Sequence, residues 1–459
     1  MAMSDEVPAV IAGRVLAPTE TAHVEPTETV SYAVTVTGPL DAFALSKAFA
    51  ASCRTHPVFT GHIRSGHAGI ELVVDADRTV PAIRVRTGEG SPEPAMRKLD
   101  HTEELIGLEV SHAAGRSTVT LLTDHSIADA SASVALLAEL WGHYTDIVET
   151  GLPTPLEVFP VPESLESLLA RRGVTRLGRN GLEELFEPAE VPDRAEERAE
   201  ERAEERSSAE PATSVERGPS ARGRIRFTAG TTSALARIGR ANGVSVHGLV
   251  SAAVMIAHAK VKAATDHVDE VAVPLIYPVD VRTRISPPVD AFAGTNIFGT
   301  VGFKRSVGQH TDPLVLAKEL LDELNTSIED GVVQQSQLHL TGQDQDASQP
   351  AAAESAGEED AETAYVLADD TLMLTNWGRI PDLRTPAGCA IEDFRGAIID
   401  QRFRPAGRAN PEEMAAPTST YIVTSFAGRL SVELATAHSA ARAGDIISAL
   451  ERTVQRLTA

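Results

Sequence analysis

An imidazole four residues ahead of a carboxylate, His125-Ser-Ile-Ala-Asp129, is the arrangement in this chain best suited to chemistry. Imidazole titrates near neutrality, so His125 could take a proton from an attacking hydroxyl. Asp129 could then turn inward and pair with a cation. An HxxxD string arises by chance about once in a chain of this composition. Spacing alone therefore also allows a plainer reading, in which His125 ends a strand and Asp129 caps the next helix. Other templates are missing. The chain has no GxSxG elbow, no GxxxxGK[ST] or GxGxxG loop and no HExxH, and its 14 histidines are scattered singly. A zinc enzyme is not expected from that pattern.

The elements around the motif give it a setting. Ser117–Thr123 alternates as a strand, and from Ala130 the residues Val134, Leu137, Leu140, Trp141, Tyr144 and Ile147 recur at helical spacing up to Gly151. His125 thus stands on a tight strand-to-helix connection, where a side chain is exposed at the rim of a sheet. Upstream, Val30–Thr37 reads as a strand stopped by Gly38-Pro39, and Asp41 caps a helix over Ala42–Cys53. Downstream, Gly223–Thr228 reads as a strand, followed by helices over Thr232–Asn242, with Gly243 as C-cap, and from Ser245 or Val246 to about Ala263. Val271–Tyr277 is a β-rich run interrupted by Pro274. Leu372–Thr375 and Thr420–Ser425 read as strands, Leu314–Ile328 and Ala441–Leu457 as helices. Strands and helices intermingle in both halves, which predicts an α/β or α+β architecture of two comparable lobes.

Charge divides the chain. The net charge is −24, and residues 188–217 (net −5, with three tandem Ala-Glu-Glu-Arg copies from Ala195) and 341–364 (net −7) together carry half of it. Neither has core periodicity. The expected organisation is an N-terminal lobe over 1–185, an acidic low-complexity linker over 186–221, and a C-terminal lobe over 222–459 with a disordered acidic insert at 341–364. The acidic balance and the 4% aromatic content argue against nucleic-acid binding. No apolar run approaches 18 residues, so no transmembrane segment is expected. Met1-Ala-Met-Ser-Asp-Glu6 is unlike a signal peptide, and the only cysteines are Cys53 and Cys389. A soluble, cytoplasmic protein is the expectation.

Leu122-Thr-Asp-His-Ser-Ile-Ala-Asp-Ala130, with Leu136-Leu-Ala-Glu-Leu-Trp141 and Tyr144-Thr-Asp146, resembles the active-site region of the condensation-domain superfamily of CoA-dependent acyltransferases. Further stretches keep the family's order: Ile276-Tyr-Pro-Val-Asp-Val-Arg282, Ser286-Pro-Pro-Val289, Thr295-Asn296, Asp330-Gly-Val-Val-Gln-Gln-Ser336, Leu338-His339, Leu383-Arg-Thr-Pro-Ala-Gly388 and Ile391-Glu-Asp393. Within the superfamily the chain is most similar to the actinobacterial polyketide-associated acyltransferases of the phthiocerol/phthiodiolone dimycocerosyl transferase type.

The resemblance implies two chloramphenicol-acetyltransferase-like lobes with a substrate tunnel at their interface. It makes His125 the catalytic histidine, Asp129 a structural aspartate and Arg282 its partner, with Asn296 lining the tunnel or supporting the site. Two departures stand out: Asp124 replaces the first histidine of the family's HHxxxDG, and Ala130 replaces its glycine. Asp124 could raise the basicity of His125, and Ala130 restricts the backbone. The implied reaction moves an acyl group from CoA or a phosphopantetheine carrier to a hydroxyl of a polyketide or lipid-like acceptor. It needs no metal or redox cofactor, and its implied partners are an acyl carrier protein or a polyketide synthase. The alternatives are a non-catalytic condensation-fold scaffold that binds a carrier, and an amide-forming condensation enzyme.

Overall fold

The computed structural model describes residues 10–24, 27–75, 79–155, 157–188, 221–340, 365–399, 401 and 417–459. It is a mixed α/β fold of two lobes, each built on one large sheet. With elements numbered in chain order, the first sheet runs β14 (Ala390–Ile399), β2 (Thr29–Thr37), β7 (Arg116–Asp124), β6 (Ile106–Ala113), β5 (Arg84–Thr87). The second runs β11 (Phe298–Gly308), β10 (Glu270–Asp280), β13 (Leu372–Arg379), β15 (Ser419–Phe426), β16 (Arg429–Thr436), β9 (Ala221–Arg226). Among the described residues two small sheets accompany them: β1 (Val10–Val15), β4 (Gly69–Asp75) and β3 (His62–Gly66), then β8 (Phe186–Pro188) with β12 (Tyr365–Leu367).

Helices α2 (Ala42–Thr55) and α3 (Ala130–Thr150) belong to the core of the first sheet, where Phe49, Trp141 and Tyr144 pack with Tyr32, Val34 and Leu121. Helices α4 (Leu165–Ala170), α5 (Ala229–Asn242), α6 (Val246–Asp266), α7 (Pro313–Glu329), α8 (Gln335–Leu340) and α9 (Ala440–Thr458) serve the second. The sequence signals act where expected. Asp41 accepts the N–H groups of Phe43 and Ala44, and Ser245 accepts that of Gly248. Gly151 and Gly243 close α3 and α5 in the left-handed region. Thr228, expected to end a strand, instead caps α5 by accepting from Thr231. Pro274 does not interrupt its strand: β10 runs through Pro274 and Pro278 to Asp280. Its pairing with β13 covers only Leu275 and Ile276, so the prolines flank the short stretch where the second ladder forms.

β14, from the C-terminal half of the sequence, pairs antiparallel with β2 of the first sheet. It faces the edge strand of the second sheet through side chains. Arg222, Arg224 and Arg226 of β9 donate to the β14 carbonyls of Ile398 (3.1 Å), Phe394 (3.1 Å) and Glu392 (2.8 Å). The stretch expected as linker, 186–221, is strand at both ends, because Phe186–Pro188 pairs with Tyr365–Leu367 and Ala221 opens β9. The rest of that linker and the insert at 341–364 lie outside the described residues. Among the described residues no single helix is long and apolar enough to cross a membrane. α5 and α6 meet the combined length and composition requirement only together, across a 105° bend.

Candidate active site

The motif sits where β7 gives way to α3. In the β2–β7 ladder Thr29 lies opposite Asp124, so the next residue out, His125, donates its N–H to the Glu28 carbonyl at 2.8 Å. Asp124 is fully buried. Its Oδ1 accepts the Ser126 N–H (3.0 Å) and Oγ–H (2.5 Å), which tightens the turn after the strand. Burial raises its pKa. Asn296, at the start of the connection into β11, donates from Nδ2 to the His125 carbonyl at 2.7 Å, with a longer contact to that of Ser126. Backbone on one side and Asn296 on the other thus hold the loop that carries His125.

Asp129 performs both roles that spacing allowed. It is the N-cap of α3, accepting from the Ala132 N–H at 3.0 Å, and it meets Arg282 through two bonds of 2.8 and 2.9 Å. Its Oδ2 also accepts the Ile297 N–H at 2.9 Å, and its own N–H donates to the Thr295 carbonyl. Both oxygens are thereby committed. Asp129 and Arg282 are 5% and 6% exposed. Burial opposes the Arg282 charge, but Asp129, with Asp280 beside it, outweighs that and raises the guanidinium's pKa. The pair ties the β7–α3 turn to the connection between β10 and β11, and so joins the two sheets at the motif.

His125 remains partly exposed. Burial first, and the neighbouring His23 second, push its pKa down to about 4, against the pull of Glu28 and Asp129. At neutral pH the ring is uncharged and able to accept a proton. The carboxylates that act most on it are Glu28 and Asp129.

Two neighbours were not found from the sequence. The His23 ring stacks on His125 with centroids 4.1 Å apart and planes 15° apart, and His23 Nδ1 lies 2.7 Å from Glu28 Oε2. His23 rides on α1 (Pro18–Val24), which is pinned by a buried glutamate. Glu20 accepts from Arg14, from the Ala17 N–H and, at 2.7 Å, from the hydroxyl of Thr295. The signal was geometric: once β2 and β7 pair, Glu28 must lie opposite His125. Histidines scattered in the sequence are gathered by the fold, and among the described residues two groups hold donor atoms close enough for a divalent ion: His23, Glu28 and His125, and the buried His258, Asp370 and His438. In the second group Asp370 already meets both imidazoles and Arg442.

Residues 217–435 match the family described as phthiocerol/phthiodiolone dimycocerosyl transferase C-terminus. A phthiocerol/phthiodiolone dimycocerosyl transferase of Mycobacterium sp. (strain JLS) is 33% identical over 383 residues, covering 82% of this chain and 84% of the relative. One from Mycobacterium tuberculosis is 29% identical over 412 residues, covering 88% and 87%. Among solved structures, polyketide synthase associated protein 5 from Mycobacterium tuberculosis superposes with a TM-score of 0.71 at 25% identity over 98% of both chains. The first condensation domain of the calcium-dependent antibiotic synthetase superposes at 0.58 with 13% identity, covering 99% of this chain and 96% of that one, a likeness of fold.

Proposed function

This chain belongs to the phthiocerol/phthiodiolone dimycocerosyl transferase family and is an acyltransferase, and from that premise we propose that His125 is the general base of a direct acyl transfer from a thioester to a hydroxyl. The observation that carries the reading is the division of labour inside HxxxD. Asp129 is spent on Arg282, Ala132 and Ile297, while His125 is neutral and partly exposed on a turn fixed from both sides.

The donor is an acyl group on CoA or on the phosphopantetheine arm of a carrier protein. Such thioesters are made in the cytoplasm, which is where this reading places the protein. The acceptor hydroxyl belongs to a polyketide or lipid-like product, and the two substrates approach His125 through a tunnel between the lobes. His125 takes the hydroxyl proton as the oxygen attacks the thioester carbonyl. The tetrahedral intermediate then collapses, the carbon–sulfur bond breaks and the departing sulfur receives the proton from the imidazolium. Holding the two substrates together supplies much of the rate advantage. No resident cofactor enters the step. The similarity to a polyketide synthase associated protein supports a polyketide synthase or its acyl carrier protein as the partner that delivers the donor.

The test follows acyl groups by intact mass, using palmitoyl-CoA and a palmitoylated carrier protein as donors and 1-octanol and octylamine as acceptors. Ester formation with loss of acyl from the donor is expected, and His125→Ala should lose at least about a hundredfold in turnover while keeping its fold. Near wild-type turnover in that variant would remove His125 from the role. Tight carrier binding without transfer would favour the scaffold, and exclusive transfer to the amine would favour amide synthesis.

A further inference from the structure

Three side chains far apart in the sequence converge at one end of the second sheet, where Leu372, Ser419 and Thr436 lie side by side. His258 is on α6, Asp370 in the turn between β12 and β13, and His438 between β16 and α9. They are 1%, 2% and 7% exposed. The turn holds Asp370 at φ +60°, in the left-handed region that few residues other than glycine enter. An uncommon backbone thus delivers the carboxylate to the two imidazoles.

Each oxygen of that carboxylate faces one ring nitrogen. His438 Nε2 lies 2.9 Å from Oδ1, and His258 Nε2 lies 3.1 Å from Oδ2. The second contact is not a hydrogen bond: His258 Nε2 is buried and has no hydrogen-bond partner among the described residues. The other nitrogen of that ring, Nδ1, faces the Tyr421 hydroxyl at 3.4 Å. With the ring proton on that side, Nε2 turns a lone pair toward a carboxylate oxygen. Two acceptors facing each other in a buried place repel, and a cation between them removes the conflict.

We propose that His258, Asp370 and His438 bind a zinc ion that staples α6, the β12–β13 turn and the start of α9 together. Zinc bonds of about 2.0–2.2 Å set tetrahedral ligand atoms ~3.4 Å apart, so slight outward movements of these side chains admit the ion. Two cations flank the carboxylate without taking its place as a ligand. Arg442 Nη2 meets Oδ2 at 3.2 Å, as an outer partner of a ligating carboxylate does. Lys262 lies 3.9 Å from the same oxygen but is paired with Asp266 at 2.8 Å. Two imidazoles in the donor set favour zinc over magnesium or calcium. The group around His125 is less suited. The rings of His23 and His125 lie 15° from parallel at 4.1 Å, so their lone pairs run in separate planes, whereas those of His258 and His438 are tilted by 37° at 5.8 Å.

The test uses the whole untagged chain and reads metal and stability. Purified without chelator, the wild type should carry close to one zinc per molecule by plasma mass spectrometry. EDTA should remove it and lower the melting temperature by about 5 °C or more, and added zinc should restore both. Cobalt(II) given to the stripped chain should produce the visible absorption of a four-coordinate ion. His258→Gln and His438→Gln keep hydrogen-bonding side chains but lose the imidazole ligand. Each should lose the zinc and the response to EDTA, while His23→Gln should keep both. If the first two variants fail to fold, the zinc content of the wild type and of His23→Gln decides. A wild type that holds no zinc and takes up no cobalt would overturn the proposal. So would zinc that stays with His258→Gln and His438→Gln, or zinc that leaves with His23→Gln.

Discussion

Asp129 and Arg282 stand across the meeting of the two sheets with almost no water around them, so neither tolerates loss of the other. Removing one member of a buried pair strands the remaining charge, at about 3–5 kcal/mol. Asp129→Ala and Arg282→Ala should each lose about that much in urea unfolding. The double substitution should lose less than the sum by about 1 kcal/mol or more, as expected for residues in contact. Asp129→Asn should fall between, since an amide oxygen can still cap α3 while the charge is gone. Strict additivity would contradict the bidentate contact. His125 makes a pH-dependent prediction of known sign. Its pKa is about 4 in the fold and near 6.5 in the unfolded chain, so between these values the unfolded chain binds the extra proton and stability falls with falling pH. His125→Gln should flatten the fall between pH 6.5 and 4, measured by urea midpoints, and an unchanged slope would count against the depressed pKa. His125 and Asp129 were legible in the sequence because they share a short motif. Arg282 and Asn296 were legible only through the order of family-like stretches. His23 and Glu28 were invisible, because nothing in a linear sequence announces that the start of β2 lies beside the end of β7.

At the scale of the elements, caps and periodicity carried most of the information. Asp41, Ser245, Gly151 and Gly243 marked helix ends that the structure places within a few residues of the sequence reading. What escaped was pairing. β14 could not be assigned to the first sheet, nor could β10 be carried through Pro274, because both depend on which strand lies alongside. Two glycines separate propensity from packing. Gly142 lies within α3, and a Cβ there would meet nothing within 4 Å. Gly142→Ala should therefore gain about 0.5–1 kcal/mol by helix propensity, with turnover unchanged. Gly299 lies in β11 beside Phe298, where a Cβ would come within 1.6 Å of the Val333 carbonyl oxygen. Gly299→Ala must push backbone apart, and should cost about 3 kcal/mol and depress turnover. Thermal melts of the two variants should move in opposite directions, and a melt of Gly299→Ala that matched the wild type would contradict the close approach.

At the scale of the whole molecule, one end of each acidic segment adjoins the same small sheet. Pro188, which precedes residues 189–220, lies opposite Tyr365, which follows residues 341–364. We propose that both segments are dispensable for the lobes. Deleting 195–206, or replacing 341–364 by a short Gly/Ser loop, should leave the melting temperature nearly unchanged, and limited proteolysis should cut there first. Unfolding on either deletion would refute the division. The lobes also meet through the β9 arginines and the β14 carbonyls. An edge strand with free carbonyls is a template on which another chain can add a strand, and in this fold guanidinium groups already occupy three of the β14 acceptors. On that ground the three arginines are expected to oppose self-association as well as to join the lobes. With Arg222, Arg224 and Arg226 replaced by alanine, the chain should begin to scatter light and bind thioflavin below its own melting temperature, because β14 would offer its open edge to a second copy.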